Sequence, residues 1–491
     1  MSKKKINFPE INILVSKRID ESTVFCYNLD TNNKSEEERA KMMAKYPLIY
    51  PKAPPAEPPM PQKHEEAEGL WGAHDPAIYR DPVSKDYFLF CTRQLVFRSG
   101  DMIHWERLGK FIEETPAEVL AWTGADGLWA PDIIKIGEEY RMYCSCSSFG
   151  SQRSAIYLAV ADKPEGPYHY RGMVVKTNEN SPVNAIDANP IVDVRTGKMY
   201  MVFGSFWGGI RLMPLDKKTG LAEDPSLEED GRTPVSAMGK SIARRPDWTT
   251  TGIEGPYIRY NPETDYYYLF VSYCSLASDY NIRVGRSRNI EGPYLGFNGV
   301  EMTDEVDYHE TTGLMLACGY RFENSQGWMA PGHNSVLMDD DGSWYMISHI
   351  RPYKVFGEVM STMHLRRMLW NEEGWPMVSP EVYAGEPIQP IPAEELTGRY
   401  EWITLAPTLP QTVSCSAPLF LFEDGKMRLS GYVKGHWETF GENGLLVEIG
   451  GGHVVKGKVT TAWDAENNCP TIVYTGITND GIAVWAKKIQ D

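Results

Sequence analysis

Three carboxylates, Asp75, Asp187 and Glu254, each stand at the head of a short apolar run, in His74-Asp75-Pro76-Ala77-Ile78, Asp187-Ala188-Asn189-Pro190-Ile191 and Glu254-Gly255-Pro256-Tyr257-Ile258. Carboxylates drawn together from distant parts of a chain suit glycoside hydrolysis, in which one acid protonates the leaving oxygen and one base activates water. Taken singly, each is more simply a solvated cap at the end of a strand. Three at corresponding places in a repeat favour the chemistry. Proline lacks an N–H and suits the first position of a strand, so Asp75 is expected at the mouth of one.

The repeat that positions these acids occurs five times: a polar or small residue and a break at or like proline, an aliphatic run, a turn, then an aromatic-rich run. The first copy runs from His74-Asp75-Pro76 to Tyr87-Phe88-Leu89-Phe90. The second leads from Ala130-Pro131-Asp132 through Gly137-Glu138 to Tyr140-Arg141-Met142-Tyr143, and the third from Asp187-Ala188-Asn189-Pro190 through Thr196-Gly197 to Met199–Phe203. The fourth joins Glu254-Gly255-Pro256 to Tyr266–Phe270, and the fifth joins Ala330-Pro331-Gly332-His333-Asn334 to Trp344–Ile347. Short β-type runs repeated at this period read as sheets arranged radially, an all-β five-bladed propeller. Its innermost strands would aim the opening residues at one central channel. Glu165-Gly166-Pro167-Tyr168 and Glu291-Gly292-Pro293-Tyr294 follow later strands and read as blade-end turns.

From about Trp71 to Pro376 the chain resembles glycoside hydrolase family 43, and within it the two-domain endo-α-1,5-L-arabinanases. The resemblance rests on His74-Asp75-Pro76, Leu128-Trp129-Ala130-Pro131-Asp132, Ser148-Phe149-Gly150-Ser151-Gln152, Asn184-Ala185-Ile186-Asp187, Gly204-Ser205-Phe206-Trp207, Ile253-Glu254-Gly255-Pro256-Tyr257 and Pro331-Gly332-His333-Asn334-Ser335. Ala188 stands where the family often has proline, and Gly255 where it often has alanine. The resemblance implies an inverting hydrolase of arabinan or arabino-oligosaccharides, with Asp75 as general base, Glu254 as general acid and Asp187 tuning the acid. It implies substrate contacts from His74, Trp129, Phe149, Asn184 and Ser205. For Trp129 and Phe149 the alternative is burial in blade cores. It also implies a mostly water-coordinated calcium ion near His333; the residues alone do not ask for one, since calcium prefers oxygen ligands. An exo-acting arabinofuranosidase or β-xylosidase of the same fold and a non-catalytic sugar-binding propeller are the alternative functions.

The formal net charge of −17 argues against nucleic acid or an anionic membrane as partner and fits a neutral polysaccharide. No stretch approaches the roughly 20 apolar residues of a membrane span. Eight cysteines without framework spacing read as reduced thiols. Lys3-Lys4-Lys5 precedes an apolar run broken by Pro9 and Glu10, which is not a secretory signal. Cytoplasm is the expectation, with secretion the alternative if a leader has been removed.

The expected organisation is an N-terminal extension over 1–70, a catalytic propeller over 71–384 and a C-terminal all-β domain over 385–491. The extension carries a capping-box pattern at Ser35–Glu38, predicting a helix through Met43, and a proline-rich arm at Pro51–Pro61. The C-terminal domain is punctuated by Asp424-Gly425, Asn443-Gly444 and Asp480-Gly481, which predict hairpins of a small sandwich or barrel. Its Trp402, Trp437, Trp463 and Trp485 are expected in the core, giving it a supporting role in preference to carbohydrate contact.

Overall fold

The computed structural model describes residues 13–20, 23–29, 47–61, 66–246, 252–305, 311–355, 361–407 and 413–490. Four antiparallel four-stranded sheets and the four principal strands of a fifth follow one another along the chain. The first strand of each is Ala77–Arg80, Leu128–Ile136, Asn189–Val192, Ile253–Asn261 or Trp328–Met338. Each packs against the first strands of its two neighbours, so the five close into a ring around a central axis. This is the expected five-bladed propeller. The second strands, such as Tyr87–Cys91 and Met199–Phe203, are buried along their whole length. That is why they read as continuous apolar runs and not as alternating ones.

Polar bonds clamp several blades to the next. Tyr140 at the start of its strand donates to Asp81 at 2.6 Å, Tyr267 donates to Asp193, and Tyr87 donates to Asp339 at 2.6 Å. The last of these joins the fifth blade to the first, where Arg80 also pairs with Asp339. The ring is sealed there by side chains and a shared apolar layer of Ile78, Leu89, Leu337, Ile347 and Leu365.

The C-terminal region closes into an eight-stranded barrel. Trp402, Trp437 and Trp485 are buried in it or beneath it, as expected, while Trp463 is only half-buried. Ile403, Leu405, Ile477 and Trp485 share one apolar cluster with Leu314, Tyr320, Phe322 and Met377 of the last two blades. Ser414–Cys415 pairs in parallel with Tyr320–Arg321 and extends the fifth sheet. The arm at 47–61 runs extended, and it packs on both bodies: Leu48 and Tyr50 lie against the barrel core, and Trp71 donates to the Pro58 carbonyl at 2.8 Å. Ile13–Asp20 and Thr23–Leu29 form a hairpin not anticipated from the sequence; the helix expected after Ser35 lies outside the described residues. Every cysteine whose side chain is described is free.

Beneath the barrel, Lys487 is fully buried among Glu381, Asp464 and Glu466 at 2.9, 2.8 and 2.5 Å. Its ammonium sits where three acids would otherwise repel or gather a metal. Burial pushes Glu381 up to about 8, with Lys487 opposing and the two other acids adding. An acid raised in the folded state keeps a proton that the unfolded chain gives up, so its contribution to stability falls as pH climbs from the unfolded value toward the folded one. We expect the unfolding free energy to decline from about pH 5 to pH 8 at a slope on the order of 1 kcal/mol per pH unit, and the melting temperature to fall with it. Calorimetry of Glu381→Gln should show that slope flattened; an unchanged slope would assign it elsewhere.

Candidate active site

The heads of the five inner strands share one backbone device. Asp75, Ala130, Asp187, Gly255 and Ala330 have φ of +50°, +40°, +65°, +56° and +54°, and each precedes a proline except Asp187, which precedes Ala188. Left-handed non-glycine residues are uncommon and concentrate at functional sites. The register breaks beside three of them, between Trp129 and Asp132, Glu254 and Tyr257, and Met329 and Gly332. A bulge bends the strand and re-aims its side chains, here toward the axis. Two expectations are corrected by this. Pro131, Pro256 and Pro331 lie inside strands at these bulges and not at first positions. Asp75 and Asp187 occupy matching sites, but the matching site in the fourth blade is Gly255, with Glu254 one residue earlier. A Cβ at Gly255 would meet His333 Cα at 3.1 Å, so glycine fits where the family resemblance suggests alanine.

Asp75 is held from every side. Thr92 Oγ1 donates to Oδ2 at 2.6 Å. Around Oδ1 stand three imidazoles: His333 Nδ1 and His349 Nδ1 at 3.3 Å, and His74 Nε2 at 3.5 Å. Burial alone would raise this carboxyl, but the surrounding histidines outweigh it and hold Asp75 well below the usual carboxylate range. The other two acids behave oppositely. Asp187 Oδ2 accepts the Gly255 N–H at 3.0 Å, and burial, helped by Glu254 and Asp75 and opposed by His333, pushes it up to about 7. Burial also raises Glu254, against the Ser205 hydroxyl that donates to it at 2.7 Å. For His333, burial disfavours the charge, yet the facing carboxylates raise it. The centre thus combines one firmly ionised carboxylate with a proton-retaining pair.

All nine residues singled out in the sequence (His74, Asp75, Trp129, Phe149, Asn184, Asp187, Ser205, Glu254 and His333) line one open cleft of about 1270 Å³. Phe149 is 89 % exposed and Trp129 half-buried. Asn184 accepts from Ser154 at 2.6 Å, and His74 Nδ1 is 2.8 Å from Ser361 Oγ. The sequence reading missed Thr92, Phe206, Trp207, Arg351 and Ser361, which line the same cleft, and His349 behind it. The available signal for His349 was its place in Tyr345-Met346-Ile347-Ser348-His349-Ile350-Arg351, where polar residues interrupt an otherwise apolar strand.

Below the cleft, on the axis, lies a cavity of about 10 Å³ bordered by all five inner strands, with Asp132, Asn189, His333 and Asn334 in its wall. Asn334 is buried, and both polar atoms of its side chain lack a partner among the described residues. Buried polar groups are normally satisfied, so these orphans, beside an imidazole and a carboxylate, fit a hard cation or water held between them. His333 borders both this cavity and the cleft.

Residues 70–376 match the profile of the glycosyl hydrolases family 43. This chain belongs to that family. Residues 380–486 match its C-terminal lipocalin-like domain, in agreement with the closed barrel. An extracellular endo-α-(1→5)-L-arabinanase of Thermotoga petrophila is 31 % identical over 85 % of this chain and 94 % of its own. An extracellular endo-α-(1→5)-L-arabinanase 2 of Bacillus subtilis is 29 % identical over 84 % and 92 %. The crystal structure of the endo-1,5-α-L-arabinanase from Thermotoga petrophila RKU-1 superposes with a TM-score of 0.75 at 30 % identity, covering 86 % of this chain and 99 % of that one. The cytoplasmic expectation is corrected by these relatives, both named as extracellular. It rested on the absence of a leader pattern, a weak signal beside two near-full-length relatives. No described helix is long and apolar enough to cross a membrane.

Phe149 stands clear of any core, so its replacement tests contact with substrate cleanly. Phe149→Ala should raise KM or lower kcat severalfold on arabinan with the melting temperature unchanged, surface substitutions being worth within about 0.5 kcal/mol. A large loss of stability with unaltered kinetics would return the ring to a structural role.

Proposed function

We propose that this member of family 43 is an endo-acting, inverting hydrolase of α-1,5-linked L-arabinan. The observation that carries the reading is the split in proton affinity between Asp75 and the Asp187–Glu254 pair, facing one open cleft. Inversion needs a base that is ionised and an acid that is still protonated near neutral pH, on opposite faces of the sugar and roughly 6.5–9.5 Å apart. In this reading Asp75 draws a proton from water as the water attacks the anomeric carbon. Glu254 gives its proton to the departing glycosidic oxygen as the C–O bond breaks. Asp187, bonded to the peptide that follows Glu254, keeps the acid protonated through its negative charge whenever it is itself ionised. Trp129 and Phe149 offer ring faces to neighbouring arabinose units, and His74, Asn184 and Ser205 offer polar contacts beside them. The relatives' endo action and the cleft's open form support chain cleavage over trimming.

Chromatography of early products from linear arabinan tests this. Mixed oligomers are expected; arabinose alone would indicate exo action, xylose release from an aryl xyloside a xylosidase, and no release a binding propeller. Asp75→Asn should lose about 10²–10⁴-fold in rate with the fold intact, at a melting temperature lowered by the loss of a stabilised charge, and near-normal turnover in that variant would remove Asp75 from the role of base.

Calcium is also proposed, beside His333 where the cleft meets the small cavity, its shell mostly water from the cleft side, since about 10 Å³ has room for one water at most. When bound it would supply positive charge that favours ionised neighbours. Removal by a chelator should release bound calcium detectable by mass spectrometry and lower activity, restored by added calcium. No ion found and no activity lost would return His333 to an ordinary structural role.

A further inference from the structure

Asp75 belongs to the first blade and Glu254 to the fourth, and the fifth blade stands between them. The fifth blade is therefore the shorter bridge between these two carboxyls around the ring. Two buried rings lie along it. His349, on the second strand of that blade, is 1 % exposed; its Nδ1 receives the Asp75 backbone N–H at 3.3 Å and lies 3.3 Å from Asp75 Oδ1, while its Nε2 has no partner among the described residues. All the polar contact this imidazole makes is thus directed at Asp75. Its ring stacks on His74 at 4.1 Å and 16° on one side and on Tyr280 at 5.7 Å and 14° on the other. Tyr280, also 1 % exposed, comes from the loop that leads into Asn281–Ser287 of the fourth blade. Its hydroxyl faces the Glu254 carboxyl and the Ser272 hydroxyl, and Ser272 Oγ in turn accepts the His333 N–H at 2.7 Å.

The slot for the Tyr280 ring is built into the backbone. Gly332, whose register partner is His349, passes so close that a Cβ there would lie 1.9 Å from Tyr280 Cδ1 and 2.0 Å from Cε1. Any other residue would evict the ring. The Tyr280 N–H is tied to the Ser275 carbonyl at 2.9 Å, which fixes the loop from behind. The stack is therefore clamped between glycine backbone, loop and strand, with one acid at each end.

We propose that His349 and Tyr280 are positioning residues, a two-ring strut that sets the distance between Asp75 and Glu254 and so the room for the attacking water. The proposal rests on the assignment of base and acid above. Neither ring lines the cleft in which the sugar would sit. Buried as it is, His349 stays neutral and has no proton to exchange in the working pH range. What the strut supplies is geometry, and an error of about 1 Å in such placement can cost on the order of 10²-fold in rate.

The test compares Tyr280→Leu, Tyr280→Phe, His349→Ala, His349→Asn and the double variant Tyr280→Leu/His349→Ala, with kcat, KM, melting temperature and crystal structures. Expected is a fall of roughly 10²-fold in kcat for Tyr280→Leu and His349→Ala, with KM within about threefold for Tyr280→Leu, which leaves the substrate contacts in place, and a larger rise allowed for His349→Ala, whose ring supports His74. Tyr280→Phe, which keeps the ring, and His349→Asn, which keeps a polar group near Nδ1, should each recover at least part of the loss. The double variant should lose little more than the worse single one, because residues acting as a unit are not additive. In the Tyr280→Leu crystal structure the Asp75–Glu254 separation should differ by about 0.5 Å or more. Normal kcat in both single variants, a loss confined to KM, or an unchanged separation would overturn the strut. Activity is read on whichever glycoside the wild-type enzyme cleaves: wild-type failure on arabinan counts against the substrate reading alone, while the separation in the crystal judges the strut independently.

Discussion

Everything in this molecule depends on the left-handed turn of backbone at the head of each inner strand. Five strands that met the axis in regular β geometry would present alternating side chains to two faces of each sheet. The positive φ before each proline, or before Ala188, breaks that alternation and swings one side chain or carbonyl inward. Positive φ outside glycine costs energy and survives only where its surroundings determine it. Here the surroundings are the neighbouring blades, locked by tyrosine–aspartate bonds and apolar layers. The propeller is thus less a container for the acids than the means of holding five strained turns in a ring.

From that ring follows the electrostatic division of labour. Three chemically similar carboxyls, all buried, would share one fate if burial alone decided. The side chain that separates them is histidine: three imidazoles crowd a single oxygen of Asp75, while Asp187 and Glu254 have a peptide N–H, the Ser205 and Tyr280 hydroxyls and only His333 of the three rings to set against burial. The nearest comparison is with two-carboxylate enzymes in which environment, not residue type, assigns acid and base.

Much of this was readable from the chain, for reasons that can be named. The repeat betrayed the propeller because each blade reuses one pattern of break, buried run and turn; the three carboxylates showed because they head such runs, while His74, Trp129, Phe149, Asn184, Ser205 and His333 were reached through the family resemblance. What could not be read were contacts made by residues far from those heads. His349 shows in the sequence only as a polar break in an apolar run, and only the folded ring brings it and Tyr280 against Asp75 and Glu254. The offset of Glu254 was hidden too, since Gly255 fills its expected place without a side chain to show it. The half-burial of Trp463 depends on which strands close the barrel, which hairpin signals do not specify.

The buried lysine beneath the barrel has one more implication. A metal placed among three acids can be stripped by a chelator or lost by dilution; the ammonium of Lys487 is fixed to the chain by its own side chain. The seam between propeller and barrel is therefore indifferent to the supply of ions around the protein, and among solutes only the proton has purchase on it.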